Sequence, residues 1–155
     1  MNTRIATLLF CTLLSGVAVQ AADTGPVSTL PGASERIKLA REAIQGKDWK
    51  GALTQLNLAV RDEPRNADIH NLLGYSYRKQ ANPDLAKAFQ HYKTAIRLDP
   101  RHKGAHEYIG EAYLMDKKPV EAQKHLETLA QICGNTTCEE YADLAQAIAE
   151  YKARN

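Results

Sequence analysis

Shifted by 36 residues, the chain overlays on itself, with Val60–Tyr77 falling on Ile96–Tyr113. Arg61, Pro64, Arg65, His70, Gly74 and Tyr77 then meet Arg97, Pro100, Arg101, His106, Gly110 and Tyr113. Val60/Ile96, Glu63/Asp99 and Leu73/Ile109 are conservative matches. A repeat of this length is one supersecondary unit that cannot bury its apolar face alone. Units must stack, and the stack becomes the core.

Within the unit the spacing is specific. The second unit reads His70-x2-Leu73-Gly74-x2-Tyr77, then Ala88-x3-Tyr92, Ala95 and Pro100. The third reads His106-x2-Ile109-Gly110-x2-Tyr113, then Ala122-x3-Leu126 and Leu129, with Gly134 where the proline would stand. A first, more degenerate unit reads Leu39-Ala40-x2-Ala43, then Ala52-x3-Leu56, Ala59 and Pro64. These motifs resemble the tetratricopeptide-repeat (TPR) family, whose signature is W-x2-L-G-x2-Y, A-x3-F and a closing proline. The resemblance runs from about Ser34 to Gly134. It implies an all-α, right-handed solenoid of three helix-turn-helix units, at about 34–66, 67–102 and 103–134, followed by a capping segment at 135–155.

Small Ala40, Gly74 and Gly110 would let the first helix of each unit approach its neighbour closely. Pro64 and Pro100 end units because proline disfavours helical geometry in the residue before it. Gly46-Lys47-Asp48-Trp49 reads as the turn of the first unit. From Gly74 to Ala88 is 14 residues, against 12 from Ala40 to Ala52 and from Gly110 to Ala122, which places two extra residues in Gln80-Ala81-Asn82-Pro83-Asp84. After the repeats, Tyr141, Leu144, Ala145, Ile148 and Tyr151 share one face at helical spacing, and Thr137-x-x-Glu140 reads as a capping box for that helix.

Residues 1–21 follow the order of an export signal: Arg4, an apolar run over 5–19, and Val19-Gln20-Ala21 before a cleavage point. Residues 22–33, with Gly25, Pro26, Ser28, Pro31 and Gly32, read as a flexible linker. Cleavage would remove Cys11 and leave Cys133 and Cys138, an even pair that in an exported chain reads as a disulfide pinning the cap. The expected compartment is the bacterial periplasm, and no segment after residue 21 suits a membrane span. Loss of Arg4 leaves 19 basic against 18 acidic residues, too balanced for a nucleic-acid binder. The recurring Arg61, Arg65, Arg97 and Arg101 sit beside acids and read as a solvated face.

No enzyme motif is present, and Glu139-Glu140 suits the dipole of a helix start better than acid–base chemistry. No cofactor is implied. A metal-binding alternative would use His70, His102 and His106. His70 and His106 fall where the family usually packs a tryptophan, and read as half-buried packing rings with one satisfied nitrogen. The family resemblance points instead to a concave groove lined by the first helices: Ile37, Arg41 and Ile44, then Asn71, Tyr75 and Arg78, then Glu107, Glu111 and Leu114. Its expected occupant is a protein or peptide. Ile37, Leu72, Gly104 and Tyr108 stand where some relatives carry the Lys, Asn and Arg that clamp a C-terminal carboxylate, so that clamp is not reproduced. The remaining alternative is an accessory structural subunit using its convex face.

Overall fold

The computed structural model describes residues 30–155. The expected export signal, Cys11 and the linker up to residue 29 lie outside the described residues. Seven helices follow one another: α1 (Ala33–Gln45), α2 (Trp49–Asp62), α3 (Ala67–Lys79), α4 (Leu85–Leu98), α5 (Lys103–Met115), α6 (Pro119–Cys133) and α7 (Glu139–Arg154). Among the described residues there is no strand, and no helix is long and apolar enough to cross a membrane.

Helix starts repeat a local solution. Asp48, Asn66, Asp84 and His102 each accept a hydrogen bond from the backbone N–H three residues on, at 2.9, 3.3, 3.0 and 3.2 Å. Each thereby satisfies a donor that the first helical turn cannot use internally. The turns α1–α2 and α5–α6 have the same length, and Lys47 and Lys117 occupy them at the same φ of 57°. The α3–α4 turn is longer by the two residues expected in Gln80–Asp84.

Pairs α1/α2, α3/α4 and α5/α6 pack internally, and α2, α4 and α6 each pack on the next odd-numbered helix. Along the odd-numbered row α3 also touches α5, and α5 touches α7. This crowding on one side makes the odd row the inner, concave side of a helical solenoid. The core is a string of clusters, one per junction. Ala40, Leu56, Ile69 and Leu73 fill the first; Ala88, Tyr92, Ile109 and Ala112 the second; Ala122, Leu129, Leu144 and Ile148 the third.

The spacing between helices depends on two missing side chains. A Cβ on Gly74 would stand 2.6 Å from the ring of Tyr92, which is fully buried on α4. A Cβ on Gly110 would stand 2.6 Å from a methyl of Leu144 on α7. Real Cβ atoms do not tolerate such contacts, so a larger residue must push a helix away.

The α7 start corrects one expectation. Its N-cap is Cys138, with no side-chain capping bond, and not Thr137. Thr137 instead donates its backbone N–H and hydroxyl to Asn135 Oδ1, at 2.9 and 3.1 Å. The cause is local: with its hydroxyl committed to Asn135, Thr137 cannot cap the helix, and Cys138 takes the extended N-cap conformation, its sulfur at bonding distance from that of Cys133. Gly134 closes α6 in the left-handed region, at φ 69°, which favours glycine.

Gly74→Ala should therefore destabilise the fold by roughly 1–3 kcal/mol. Gly46→Ala is the control, since its Cβ would meet only ordinary contacts at 3.6 Å and its φ is −76°. Thermal unfolding followed by circular dichroism separates the two. Equal melting temperatures would show that Tyr92 does not set the helix spacing.

Candidate functional site

The inner row is built around one buried cation. Asn71, Tyr75 and Arg78 lie along one face of α3, at helical spacing. Arg78 is only 5% exposed. Its Nε donates to the Tyr92 hydroxyl at 3.2 Å, and its Nη2 lies 2.5 Å from Glu111 Oε2 on α5. The guanidinium carbon stands 5.5 Å from the ring centres of both Tyr75 and Tyr108. Burial works against the charge, but Tyr92 and Glu111 outweigh it, and the Arg78 pKa lies above its ordinary value. The same burial pushes the Tyr108 phenol up to about 12.

Arg78 fastens a row of aromatic rings. Trp49, at the start of α2, meets Tyr75 edge-on at 6.1 Å, and Tyr75 meets Tyr108 at 4.8 Å. All three rings are half-buried. Tyr75, Tyr108, Leu72, Ile44 and Arg41 line an open cavity of about 210 Å³ between α1, α3 and α5.

The nine residues expected to line the groove separate into groups. Tyr75, Arg78 and Glu111 come together as one cluster. Ile37 and Ile44 pack on the first core cluster, and Leu114 belongs to the last. Arg41 is exposed. Asn71 is buried with its Oδ1 unpartnered, and its amide would be 3.2 Å from a Cβ on Gly104. Glu107 is 7% exposed, one turn before Glu111. Arg78 is thus not a free cation offered to a partner. Reversing its charge would set two carboxylates face to face in the core.

Sequence reasoning missed a fourth wall. The helix read only as a cap also contributes Asp143, Ala147 and Glu150, which with Glu111 line a cavity of about 270 Å³. Glu140, Asp143, Ala147 and Glu150 form a stripe that flanks the helix's apolar face, and that spacing was the available signal.

The histidines form two copies of a buried relay. His70 Nε2 lies 3.1 Å from the Pro64 carbonyl, and His106 Nε2 lies 3.1 Å from the Pro100 carbonyl. A carbonyl only accepts, so each Nε2 carries the proton, and each neutral ring accepts at Nδ1. The donors are His91 Nδ1 at 3.1 Å and His125 Nδ1 at 2.9 Å. Tyr77 and Tyr113 stack on His91 and His125, with interplanar angles of 7° and 17°. Both nitrogens of His70 and His106 are engaged, not one. His102 is committed elsewhere, accepting from Ala105 N–H and donating to Asp68 Oδ1 at 3.0 Å. The three histidines therefore do not converge on a metal. Among the described residues, the one group with metal-type spacing is Cys133, Cys138 and Glu140, whose sulfurs are joined.

The comparisons agree with this architecture. A family model described as tetratricopeptide repeat matches residues 37–100 and 76–134. The TPR2B domain of yeast Sti1, in complex with pHsp70, has a TM-score of 0.70 at 16% identity, covering 79% of this chain and 98% of that one. The Yersinia enterocolitica type III secretion translocator chaperone SycD has a TM-score of 0.70 at 14% identity, covering 79% and 92%. The first TPR of Spaghetti (RPAP3), bound to the HSP90 peptide SRMEEVD, has a TM-score of 0.67 at 16% identity, covering 78% and 93%. At such identities the likeness concerns the fold. No curated protein matches the chain.

Two groups of side chains give the fold opposing pH responses. Burial, then the neighbouring His70 and His106, hold His91 and His125 down to about 4. The unfolded chain takes up protons that the fold refuses, so these rings cost stability as pH falls from about 6.5 toward 4. Glu107 is pushed up to about 8 by burial, then by Glu111, Asp143 and Glu140. A raised carboxyl costs stability as pH rises through the interval up to that value. Between pH 6.5 and 8.5 the melting temperature should fall in the wild type and stay level in Glu107→Gln. Toward pH 4.5 the melting temperature should fall again, with a stability loss of up to roughly 1 kcal/mol per pH unit for each ring, and fall less in His91→Gln/His125→Gln. Parallel curves for all three proteins would refute both assignments.

Proposed function

Because the chain belongs to the tetratricopeptide-repeat family, we propose that it is a non-enzymatic interaction module that docks a protein or peptide along the face formed by α1, α3, α5 and α7. The observation that carries this reading is the row Trp49, Tyr75 and Tyr108, held half-open on that face by Arg78. Large rings in fixed orientation present contact area that loses little entropy on binding, which is why they recur at binding hot spots. Proteins of the same fold, the yeast Sti1 domain and the first TPR of Spaghetti, are complexed with pHsp70 and with an HSP90 peptide. Their mode of use supports a groove. Their ligand does not transfer, because Ile37, Leu72, Gly104 and Tyr108 supply no positive charge for a terminal carboxylate.

The same reading places the protein in the cell envelope, exported to a bacterial periplasm. The signal-like order of residues 1–21 supports this, and so does the Cys133–Cys138 bridge, which an oxidising compartment would preserve. Mass spectrometry after alkylation in intact cells should find both cysteines unalkylated. Two free thiols would remove the compartment assignment.

The groove itself is tested by photo-crosslinking in cells. Tyr75 is replaced by a photoreactive residue, and exposed Lys124 on α6 serves as the control position. One dominant protein adduct from position 75 alone is expected. Adducts confined to position 124 would move the working surface to the convex side, as for an accessory structural subunit.

A further inference from the structure

The face assigned to partner docking is not uniform in charge. On its α5–α7 half stand Glu107, Glu111, Glu140, Asp143 and Glu150. Three have a cation at hand: Glu111 has Arg78, Glu140 has Lys103 at 3.8 Å, and Glu150 has Arg154 at 3.9 Å. Among the described residues, Glu107 and Asp143 have neither an ion pair nor a side-chain hydrogen bond. Glu107 is the more telling, because more than nine-tenths of it is buried. Its carboxyl oxygens are not fully enclosed, so a donor from outside can reach them, while a mostly buried carboxyl that no side chain of the fold supplies with a donor is unfavourable there. Its surroundings add to that cost, with Glu111 on its own helix, Asp143 and Glu140 on α7, and only Arg78 of opposite sign. Next to it, between α5 and α7, lies the open cavity walled by Glu111, Asp143 and Glu150.

We propose that this half of the groove takes a basic segment of a protein partner, with one lysine or arginine entering between α5 and α7 to pair with Glu107 and Asp143. The proposal rests on the groove reading above and names the partner's chemistry. A single entering cation would supply both carboxylates with the donor they lack, and the aromatic row beyond Arg78 would hold the flanking apolar residues. The rest of the face is consistent, since the charge of Arg78 is offset by its pairing with Glu111 and the acidic residues outnumber it. Burial holds Glu107 protonated near neutrality, so binding a cation should release a proton and strengthen as pH rises toward about 8.

The test is a random dodecapeptide display library selected on the purified protein at low salt, then sorted on the Tyr75→Ala and Glu107→Gln/Asp143→Asn variants. Clones lost on the double variant should share a lysine or arginine at one register. Calorimetry on the consensus peptide should show at least about a tenfold loss of affinity for Glu107→Gln. Replacing the peptide's basic residue by a neutral one should cause a similar loss with the unaltered protein, which guards against a misfolded variant. Affinity should also rise between about pH 6 and 8 for the wild type, and stay flat for Glu107→Gln. Clones that need Tyr75 but carry no shared basic residue would overturn this inference and leave the groove reading standing. A selection yielding no clone sensitive to either variant would overturn both.

Discussion

Everything in this solenoid depends on how closely adjacent helices can approach, and that distance is set where side chains are missing. Gly74 accepts the ring of Tyr92, and Gly110 accepts Leu144. Both contacts use the bare helix backbone as a packing surface, so a large residue on one helix fills the space vacated on the other. The consequence reaches the functional face. Because Tyr92 seats against Gly74, its hydroxyl arrives where Arg78 Nε can donate to it. Arg78 is thereby fixed between Tyr75 and Tyr108, and the inner aromatic row acquires its orientation. A packing constraint in the core thus fixes the rings on the inner face.

The polar interior is handled by repetition. The histidines near the starts of α3 and α5 bring inward rings with two nitrogens to satisfy. The chain meets this twice with the same parts: a proline carbonyl behind, a second histidine in front and a tyrosine stacked over it. The relay replaces the tryptophan usual at that position in the family with a hydrogen-bonded pair that ties the two helices of a unit together. It carries a pH sensitivity that a tryptophan would not, because burial and the facing ring oppose a second proton on His91 and His125.

How much of this could be read from sequence follows from the range of each interaction. The solenoid, the helix-turn-helix units and the long second turn were legible because they rest on local spacing. Tyr75 and Arg78 were placed on one face for the same reason. The histidine pairs were half-hidden: His70 and His106 are 36 apart, but His91 and His125 are 34 apart, because the longer α3–α4 turn breaks the register. Sliding the second helices separately by that shorter step would have exposed them. The state of Arg78 was not legible, since its burial depends on Glu111 and Tyr92, 33 and 14 residues away. The capping box failed for a related reason. Its spacing was correct, but the Thr137 hydroxyl is held by Asn135, and Cys138 is the residue that starts α7.

A stack of repeats can carry an unfavourable group more safely than a single globular core can. Stability here is close to a sum of terms within units and between neighbours, so a cost at one junction stays at that junction. The burial of Glu107 falls on the α5–α7 contact, at the end of the stack. That junction also carries Cys133 at the end of α6 and Cys138 at the start of α7, with their sulfurs at bonding distance. The Lys103–Glu140 pair and the Arg101 bond to the Ile132 carbonyl, at 3.2 Å, brace the same region. Because α7 lines the acidic cavity with one set of residues and covers the apolar cluster with another, it is packed as a wall of the inner face as well as its lid.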